Sequence, residues 1–316
     1  MIAKRPILYI KCLVYNHAPY LRQCLDGIVM QRTNFPFVAI VHDDASTDES
    51  ASIIREYAKK YPEIIRPIYE SENQYSKKNG SLSMIMDRVM SEAKFIALCE
   101  GDDYWTDPYK LQKQVDFLIQ HEDYVLVSHV NDIYYQESEE WKRNIRGDYP
   151  FHDNGCFKVF DYSLDNYFDI GCPQPLTTVY RNGGGYHILP QKYKYYRDTI
   201  FYYYLLKQGK GALLQDNMGV YRIHGGGIYS GNTQVMNWTI NYKNLVDIYR
   251  YEDDIHAVEK AYGWAKMIIS HLLSNKRCED LLKFVVQYVQ EMPFKYHIRL
   301  VNDMAKHLFR QGTSIE

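Results

Sequence analysis

Strand-length apolar runs alternate with amphipathic helical segments over the first 130 residues of the chain. The apolar runs fall at residues 7–13, 37–41, 64–69, 95–99 and 124–130. Between them, residues 19–30, 46–60 and 81–92, and those that follow Asp107-Pro108, place apolar side chains at helical spacing. Strands that alternate with helices predict an α/β fold whose mostly parallel sheet is covered by helices on both faces.

The pattern changes in the second half of the chain. Residues 136–170 lose periodicity and become polar and aromatic, which predicts irregular loops of the kind that often carry specificity. A strand at 176–180, an aromatic-rich helix at 199–206 and a strand pair at 211–221 follow, and from Trp238 the pattern is largely helical. We therefore expect an α/β domain over residues 1–235 and a C-terminal helical region over residues 236–316.

Composition narrows the class of protein. The chain has 37 Lys and Arg against 39 Asp and Glu, and its net charge of -2 gives no electrostatic reason to bind nucleic acid. The six cysteines form no C-x-x-C pair, which favours a reducing compartment. The N-terminal residues do not resemble a signal peptide, and no apolar run reaches the roughly 18 residues of a spanning helix. These features predict a globular, cytoplasmic protein.

The apolar run at residues 95–99 ends in an acidic turn, Glu100-Gly101-Asp102-Asp103. Carboxylate oxygens are the ligands of hard cations such as Mg²⁺ and Mn²⁺, which typically bridge one or two carboxylates to substrate phosphates. Alternatively, the aspartates cap the helix that follows, although Asp107 is already placed for that role. The turn therefore predicts a divalent-cation site for a phosphorylated ligand.

A second strand-like run ends in His42-Asp43-Asp44. In an open α/β sheet, ligands bind beyond the carboxyl ends of the strands. A carboxylate there can accept hydrogen bonds from a base and a ribose. Alternatively, the segment is only the charged entrance of a helix, because Ser46-Thr47-Asp48-Glu49 has the spacing of a capping box. Two acidic strand ends in one sheet favour the first interpretation.

A third segment that could bind a ligand is Tyr221-Arg222-Ile223-His224, which precedes three glycines at positions 225–227. A single histidine is more often a packed side chain than a ligand. Beside a Gly-rich segment at a predicted diphosphate site, however, His224 can bind a metal and Arg222 can reach a phosphate. We expect both to lie at the site.

In their order along the chain, these segments resemble the motifs of the bacterial family 2 glycosyltransferases, which have the Rossmann-like GT-A fold. Leu13-Val14-Tyr15-Asn16 is similar to the family's opening P-V-Y-N, residues 42–48 to its V-D-D-G-S-T-D, and residues 100–103 to its D-x-D-D. Residues 221–224 look like the late Y-R-x-H of many members. The resemblance covers about residues 6–230 and implies that residues 1–235 form a nucleotide-sugar transferase domain.

The resemblance also implies roles for individual residues. The nucleotide-sugar donor would be bound by Leu13, Tyr15, Asn16, Asp44, Asp102 and Arg222. The metal ligands would be Asp103 and His224, and the cofactor would be Mn²⁺ or Mg²⁺. Leu13 replaces the family's proline, which affects only a loop.

A later carboxylate is the catalytic base in the family, and Asp198 occupies its place. Arg197 stands where many members have a second acid, so Asp198 is the sole candidate there. Attack by a sugar hydroxyl requires one base and neutralisation of the departing diphosphate, and a single displacement inverts the anomeric configuration. We expect a metal-dependent inverting glycosyltransferase of the hexosyltransferase class, with a UDP-sugar as donor.

Two other functions remain open. A sugar nucleotidyltransferase would carry a Gly-rich basic phosphate loop after the first strand, and residues 13–17 do not form one. A non-catalytic nucleotide-sugar or glycan-binding protein would not need the retained acids. The expected acceptor is a hydroxyl of a growing surface glycan or a lipid-linked saccharide. We expect the C-terminal helices to bind the acceptor, to form a homodimer, or to associate peripherally with the inner face of the membrane.

Overall fold

The computed structural model describes residues 5–227 and 231–312, and within them eleven strands form one mixed sheet flanked by helices. The strands are β1 Leu8–Val14, β2 Phe37–Asp43, β3 Ile65–Tyr69, β4 Phe95–Leu98, β5 Tyr104–Trp105, β6 Tyr124–Tyr135, β7 Glu140–Ile145, β8 His152–Asp153, β9 Lys158–Tyr162, β10 Val179–Arg181 and β11 Lys210–Ile223. The helices are α1 Ala18–Val29, α2 Ser50–Lys60, α3 Ser81–Val89, α4 Lys110–Gln120, α5 Leu164–Ile170, α6 Leu189–Lys192, α7 Asp198–Leu206, α8 Gln234–Glu252, α9 Ile255–Ser274, α10 Cys278–Glu291 and α11 Phe294–Gly312.

The strand order is β3-β2-β1-β4-β10-β6-β11-β9-β8, with β5 paired to β11 and β7 to β6. The first four strands in this order are mutually parallel, and β6 and β11 also pair in parallel. Between these two parts, β10 runs antiparallel to both β4 and β6. The α/β fold with flanking helices is confirmed, and the carboxyl ends of β1, β2 and β4 meet at one edge of the sheet.

The region from 136 to 170 is more regular than its sequence predicts. It contains β7, which pairs with β6, and β9, which pairs with β11. Most residues of β7 are exposed, so this strand lacks the apolar pattern that would have revealed it. The predicted strand pair at 211–221 is instead one long strand, β11, whose register against β6 is interrupted by bulges.

The predicted capping box at Ser46 is wrong, because α2 begins only at Ser50. The Ser46 hydroxyl accepts a hydrogen bond from the main chain of Asn16 (2.9 Å), on a different loop. Asp48 takes the capping role: its two oxygens accept from the backbone N–H groups of Ser50 (2.9 Å) and Ala18 (3.0 Å). One carboxylate therefore stabilises the N-terminal ends of both α1 and α2.

The main hydrophobic core lies between the sheet and helices α1, α2 and α4. Three free cysteines, Cys12 on β1, Cys24 on α1 and Cys99 after β4, are completely buried in it. The Sγ atom of Cys24 lies 3.9 Å from the Sγ atoms of both Cys12 and Cys99. These thiols pack as small apolar side chains between the first strand, its helix and the acidic turn.

The chain divides into two compact units. One comprises the residues up to Lys192 together with Phe201–Gly225, and the other comprises Tyr193–Ile200 and the residues from Gly226 onward. Helices α8 to α11 belong to the second unit, where α9 packs against the other three, and the predicted C-terminal helical region is confirmed. A domain boundary at residue 235 stays a prediction.

Two further observations concern membrane-spanning helices and the residues that the structure describes. Among the described residues, no helix combines the length and the apolar character needed to cross a bilayer. Residues 228–230, with which the predicted family resemblance ends, lie outside the described residues, as do residues 1–4 and 313–316.

Candidate active site

The acidic turn after β4 brings three carboxylates together. The ligand atoms of Glu100, Asp102 and Asp103 all lie within 4.8 Å of one another. The turn stands where β1, β2 and β4 end, the edge at which open α/β sheets bind ligands. Within the described part of the chain, this is the group of acidic, histidine or cysteine side chains suited to hold a metal ion.

Gly101 allows the turn to approach the end of β1. Its backbone N–H donates to the carbonyl oxygen of Leu13 (3.0 Å). A Cβ atom at position 101 would lie only 2.8 Å from Nδ1 of His17 and 3.0 Å from the side chain of Val14. Leu13, predicted to contact the donor from a loop, instead lies in β1 and holds the acidic turn through its main chain. A side chain at position 101 would force the turn away from the end of this strand.

Two histidines flank Asp102. The Nε2 atom of His224 lies 3.0 Å from Oδ2 of Asp102, and Nε2 of His17 lies 3.7 Å from the same oxygen. Burial would raise the pKa of Asp102, but the hydrogen bond with His224 and the charge of His17 outweigh it, so this pKa is lowered. Burial lowers the pKa of His17. Asp102 is therefore held as a carboxylate between two imidazoles.

Asp103 is almost completely buried, with 1% of its surface exposed. Its Oδ1 accepts a hydrogen bond from the backbone N–H of Arg222 (2.8 Å). Burial, reinforced by the charge of Asp102, raises the pKa of Asp103 well above its ordinary value. Oδ2 of Asp103 and Oδ1 of Asp102 are both buried, and neither has a hydrogen-bond partner among the described residues. Such buried carboxylate oxygens fit a cation that requires oxygen ligands.

Arg222 braces the acidic turn from the other side. It is 7% exposed, and its Nε donates to the carbonyl oxygen of Asp102 (3.0 Å). Its terminal nitrogens donate to the side-chain oxygens of Gln136 (2.5 Å) and Gln23 (2.6 Å). Three aromatic rings lie 5.0–5.6 Å from the guanidinium: Tyr20, Tyr104 and Tyr134. This geometry suits a residue that positions Asp102, and the predicted contact of Arg222 with phosphate stays a prediction.

The loops after β1 and β2 are tied together by Asn16. Its Oδ1 accepts a hydrogen bond from the backbone N–H of Thr47 (2.8 Å), and its own N–H donates to Ser46. Asn16 adopts a left-handed conformation with φ of 56°, which asparagine tolerates better than most residues. Tyr15, the preceding residue, is 46% exposed. Asn16 thus fixes the loop, and Tyr15 and Asn16 are the exposed members of the first motif.

The two aspartates at the end of β2 differ in their contacts. The oxygens of Asp44 accept hydrogen bonds from the backbone N–H groups of Gln74 (2.7 Å) and Tyr75 (3.0 Å). Asp43 is also buried, and its Oδ1 has no hydrogen-bond partner among the described residues. Asp44 therefore orders the loop that contains Gln74, while Asp43 keeps an oxygen available for a ligand. The predicted contact of Asp44 with the nucleoside stays a prediction.

One residue at the site, His17, was not predicted from the sequence, and one predicted residue, Asp198, lies in the other unit of the chain. His17 was not predicted, although its place directly after the Tyr15-Asn16 motif gave a signal that it lies at the site. Asp198 is the first residue of α7 and belongs to the second unit of the chain. Its role as the base stays a prediction.

Comparison with known sequences gives the family. A sequence profile of glycosyl transferase family 2 matches residues 12–205. An uncharacterized protein of Mycobacterium tuberculosis is 35% identical over 228 residues, which are 68% of this chain and 58% of that protein. An uncharacterized glycosyltransferase of Nostoc sp. is 28% identical over 67% of this chain and 63% of its own length. The chain therefore spans about three fifths of the length of these relatives.

Solved structures of low sequence identity share the fold. Staphylococcus aureus TarS (residues 1–349), in complex with UDP-GlcNAc, matches with a TM-score of 0.65 and 16% identity over 96% of this chain and 92% of that one. A mannosyltransferase of Pyrobaculum calidifontis, in complex with GDP-Man and Mn²⁺, matches with a TM-score of 0.55 and 14% identity over 98% and 88%. The fold agrees with the GT-A prediction, and the profile match shows that the chain belongs to glycosyl transferase family 2.

Proposed function

We propose that this protein is a metal-dependent inverting glycosyltransferase. It transfers a sugar from a nucleotide diphosphate sugar, with UDP-sugars as the expected donors, to a hydroxyl group of a glycan or a lipid-linked saccharide. Family membership supports glycosyl transfer. The complexes of TarS with UDP-GlcNAc and of the mannosyltransferase with GDP-Man support a nucleotide-sugar donor, because both proteins share this fold.

The observation that carries the proposal is the carboxylate cluster with its two buried oxygens that lack hydrogen-bond partners. Asp102 and Asp103 would hold Mn²⁺ or Mg²⁺, and such a cation neutralises the charge of a departing diphosphate. His224 lies against Asp102 and is proposed as a further ligand, while Arg222 and Gly101 keep the turn in position.

The remaining residues bind the nucleoside and the acceptor. Asp43 and Asp44, at the end of the neighbouring strand, would receive the nucleoside together with the accessible ring of Tyr15. Asp198 would accept the proton of the attacking hydroxyl, which makes the oxygen a better nucleophile at the anomeric carbon. No covalent enzyme intermediate is needed, so one displacement inverts that carbon.

Donor choice and metal dependence can be tested by ligand-induced stabilisation. The full chain would be melted with UDP, GDP and other nucleoside diphosphates, each with and without Mn²⁺. A ligand at 100 times its Kd stabilises the folded state by about 2.7 kcal/mol. We expect stabilisation by UDP that requires Mn²⁺. Equal stabilisation without the metal would contradict the metal site, and stabilisation by GDP alone would contradict the expected UDP donor.

The acceptor and the cellular position are proposed separately. A glycan acceptor agrees with the family, and release of UDP that depends on an added saccharide would identify it. Helices α8 to α11 are proposed to mediate contact with a membrane surface or with a second copy of the chain.

A further inference from the structure

Helix α11 has two apolar faces, and only one of them is covered. The inner face packs on α9 through Tyr296 and Leu300, which are 0% and 4% exposed. On the outer face, Phe294, Ile298 and Val301 are 74%, 54% and 65% exposed. Their spacing of four and then three residues places them in one row along the helix. In the sequence the same spacing continues with Ala305 and Leu308.

A basic row accompanies this apolar row. In the sequence, Lys295, Arg299 and Lys306 each follow an apolar position by one residue, and Arg310 continues the spacing. Arg299 also pairs with Glu259 of α9 (2.8 Å), with half of its side chain exposed. The helix carries these four basic residues and a single acid, Asp303, which gives a net charge of +3 in a chain whose total is -2. A helix that combines a basic row with an exposed apolar row is typical of proteins that lie on membrane surfaces.

We propose that the outer face of α11 docks on an anionic lipid surface. The side chains of Phe294, Ile298 and Val301 would enter the boundary between head groups and acyl chains, and the net positive charge of the helix would attract the anionic head groups. The helix would lie along the surface of the bilayer. Lipid binding by α11 does not depend on the transfer reaction, so it can be tested apart from activity.

The charge of α11 favours lipid over a symmetric contact between the α11 helices of two copies. Asp303 already accepts a hydrogen bond from the Tyr262 hydroxyl (2.7 Å) and pairs with Lys266 (3.0 Å), both on α9. In the sequence of residues 294–312, Asp303 is the one Asp or Glu, so two α11 helices face to face would bring net positive charge together.

Helix α10 provides a matched control because it has a similar apolar row with the opposite charge. Leu282, Val286 and Val289 are 66%, 50% and 51% exposed at the same spacing. The charged residues of α10 are three acids and one lysine, which give a net charge of -2. If exposed apolar area alone determined binding, both rows would contribute equally.

The test is sedimentation of the full chain with phosphatidylcholine vesicles that contain either no anionic lipid or about 30% phosphatidylglycerol. We expect binding to the anionic vesicles that weakens at high salt. The triple variant Phe294→Ser, Ile298→Ser, Val301→Ser should lose about tenfold or more of this binding. The triple variant Leu282→Ser, Val286→Ser, Val289→Ser should stay within about twofold of the unsubstituted protein. Because all six side chains are exposed, the melting temperatures should be little changed.

Three results would overturn the proposal. Equal binding to neutral and anionic vesicles would exclude the role of the basic row, and equal losses in the two triple variants would exclude the assignment to α11. The third result would come from light scattering. If the protein is a dimer that does not bind vesicles, and the α11 triple variant is a monomer, then a second copy of the chain covers this face.

Discussion

Adjacent aspartates follow one another at the end of β2 and again after β4, and the two pairs share one pattern of contacts. In each pair the second aspartate accepts hydrogen bonds from the main chain of a later segment: Asp44 from Gln74 and Tyr75, and Asp103 from Arg222. In each pair the first aspartate has a buried oxygen without a hydrogen-bond partner among the described residues. At the end of β2, the ordering acid and the acid with the unpartnered oxygen are therefore different residues, whereas after β4 Asp103 orders the turn and also keeps such an oxygen.

The surroundings of the two pairs differ. The pair after β4 lies among groups that can carry positive charge, since His17 and His224 flank Asp102 and Arg222 contacts both aspartates. Within the described part of the chain, Asp44 at the end of β2 accepts its hydrogen bonds from neutral backbone amides. The same two-residue motif therefore suits a cation and a diphosphate at one strand end and an uncharged nucleoside at the other.

If both pairs bind the donor, the catalytic base must be another residue. Asp198→Asn should then have the largest effect on turnover. We expect a loss of about 10² to 10⁴ in kcat with donor affinity retained, because general bases typically contribute this much. As the first residue of α7, Asp198 could instead act only on the helix dipole, worth about 0.3–1 kcal/mol. Normal kcat with a lowered melting temperature would favour that alternative.

Exchange of the second aspartate in each pair should separate the roles of the two strand ends. In Asp103→Asn the amide oxygen can still accept from Arg222, so the fold should persist while Mn²⁺-dependent UDP binding and kcat/KM fall by about 10². In Asp44→Asn one amide N–H₂ would face a backbone N–H, which should cost about 1–3 kcal/mol of unfolding free energy.

Isothermal titration with Mn²⁺ and UDP, together with urea unfolding, measures both effects. Loss of Mn²⁺ dependence in the Asp44 variant and its retention in the Asp103 variant would reverse the assignment of the two pairs.

The preference for one nucleotide base over another should depend on the aspartates at the end of β2 and not on those after β4. Asp44→Ala is expected to raise the KM for the donor roughly tenfold and to relax the preference among nucleotide bases, with metal affinity little changed. Asp43→Asn should have the same effect if its free oxygen is the one that contacts the nucleoside. Competition by UDP, GDP and CDP in the same assay would show which aspartate selects the base.

The smallest expected effects are on stability, from a substitution at one residue of the turn after β2 and one residue of the turn after β4. Ala45, where the family has glycine, adopts φ of 62°, so Ala45→Gly should stabilise the fold by up to about 1 kcal/mol. Gly101→Ala should destabilise it, because a Cβ there would lie 2.8 Å from His17. Thermal unfolding of the two variants checks both signs. Destabilisation by Ala45→Gly would show that this turn needs the restricted backbone more than it suffers from strain.

The elements that carry the site could be predicted from sequence because their signals are local. Apolar runs gave β1, β2 and β4, and the acids that follow two of them placed Asp44, Asp102 and Asp103 at one edge of the sheet. The motif that contains His224 also pointed to this edge, and the structure brings its imidazole to Asp102. These inferences needed only strand polarity and side-chain chemistry.

The remaining features depend on contacts between segments far apart in the chain. Ser46 and Glu49 have the spacing of a capping box, yet Ser46 bonds to Asn16 and helix α2 starts later. Nothing local to Arg222 indicates that Gln23 and Gln136 enclose its guanidinium. The exposed strand β7 has no apolar period to detect, because its partner β6 rather than a core determines its place.

The reactivity of the three buried thiols beneath the acidic turn can be used to measure how often this part of the protein opens. Contacts with Cys12 and Cys99, together with burial, raise the pKa of Cys24 well above its ordinary value, so the folded state offers little thiolate there. Cys156 and Cys278 are exposed and would react with a thiol reagent at once. The interior three would react only when the layer of β1, α1 and β4 separates, so their labelling rate measures that local opening. A donor that binds the closed layer would slow this rate in proportion to its occupancy, and affinity could be obtained without turnover or an acceptor.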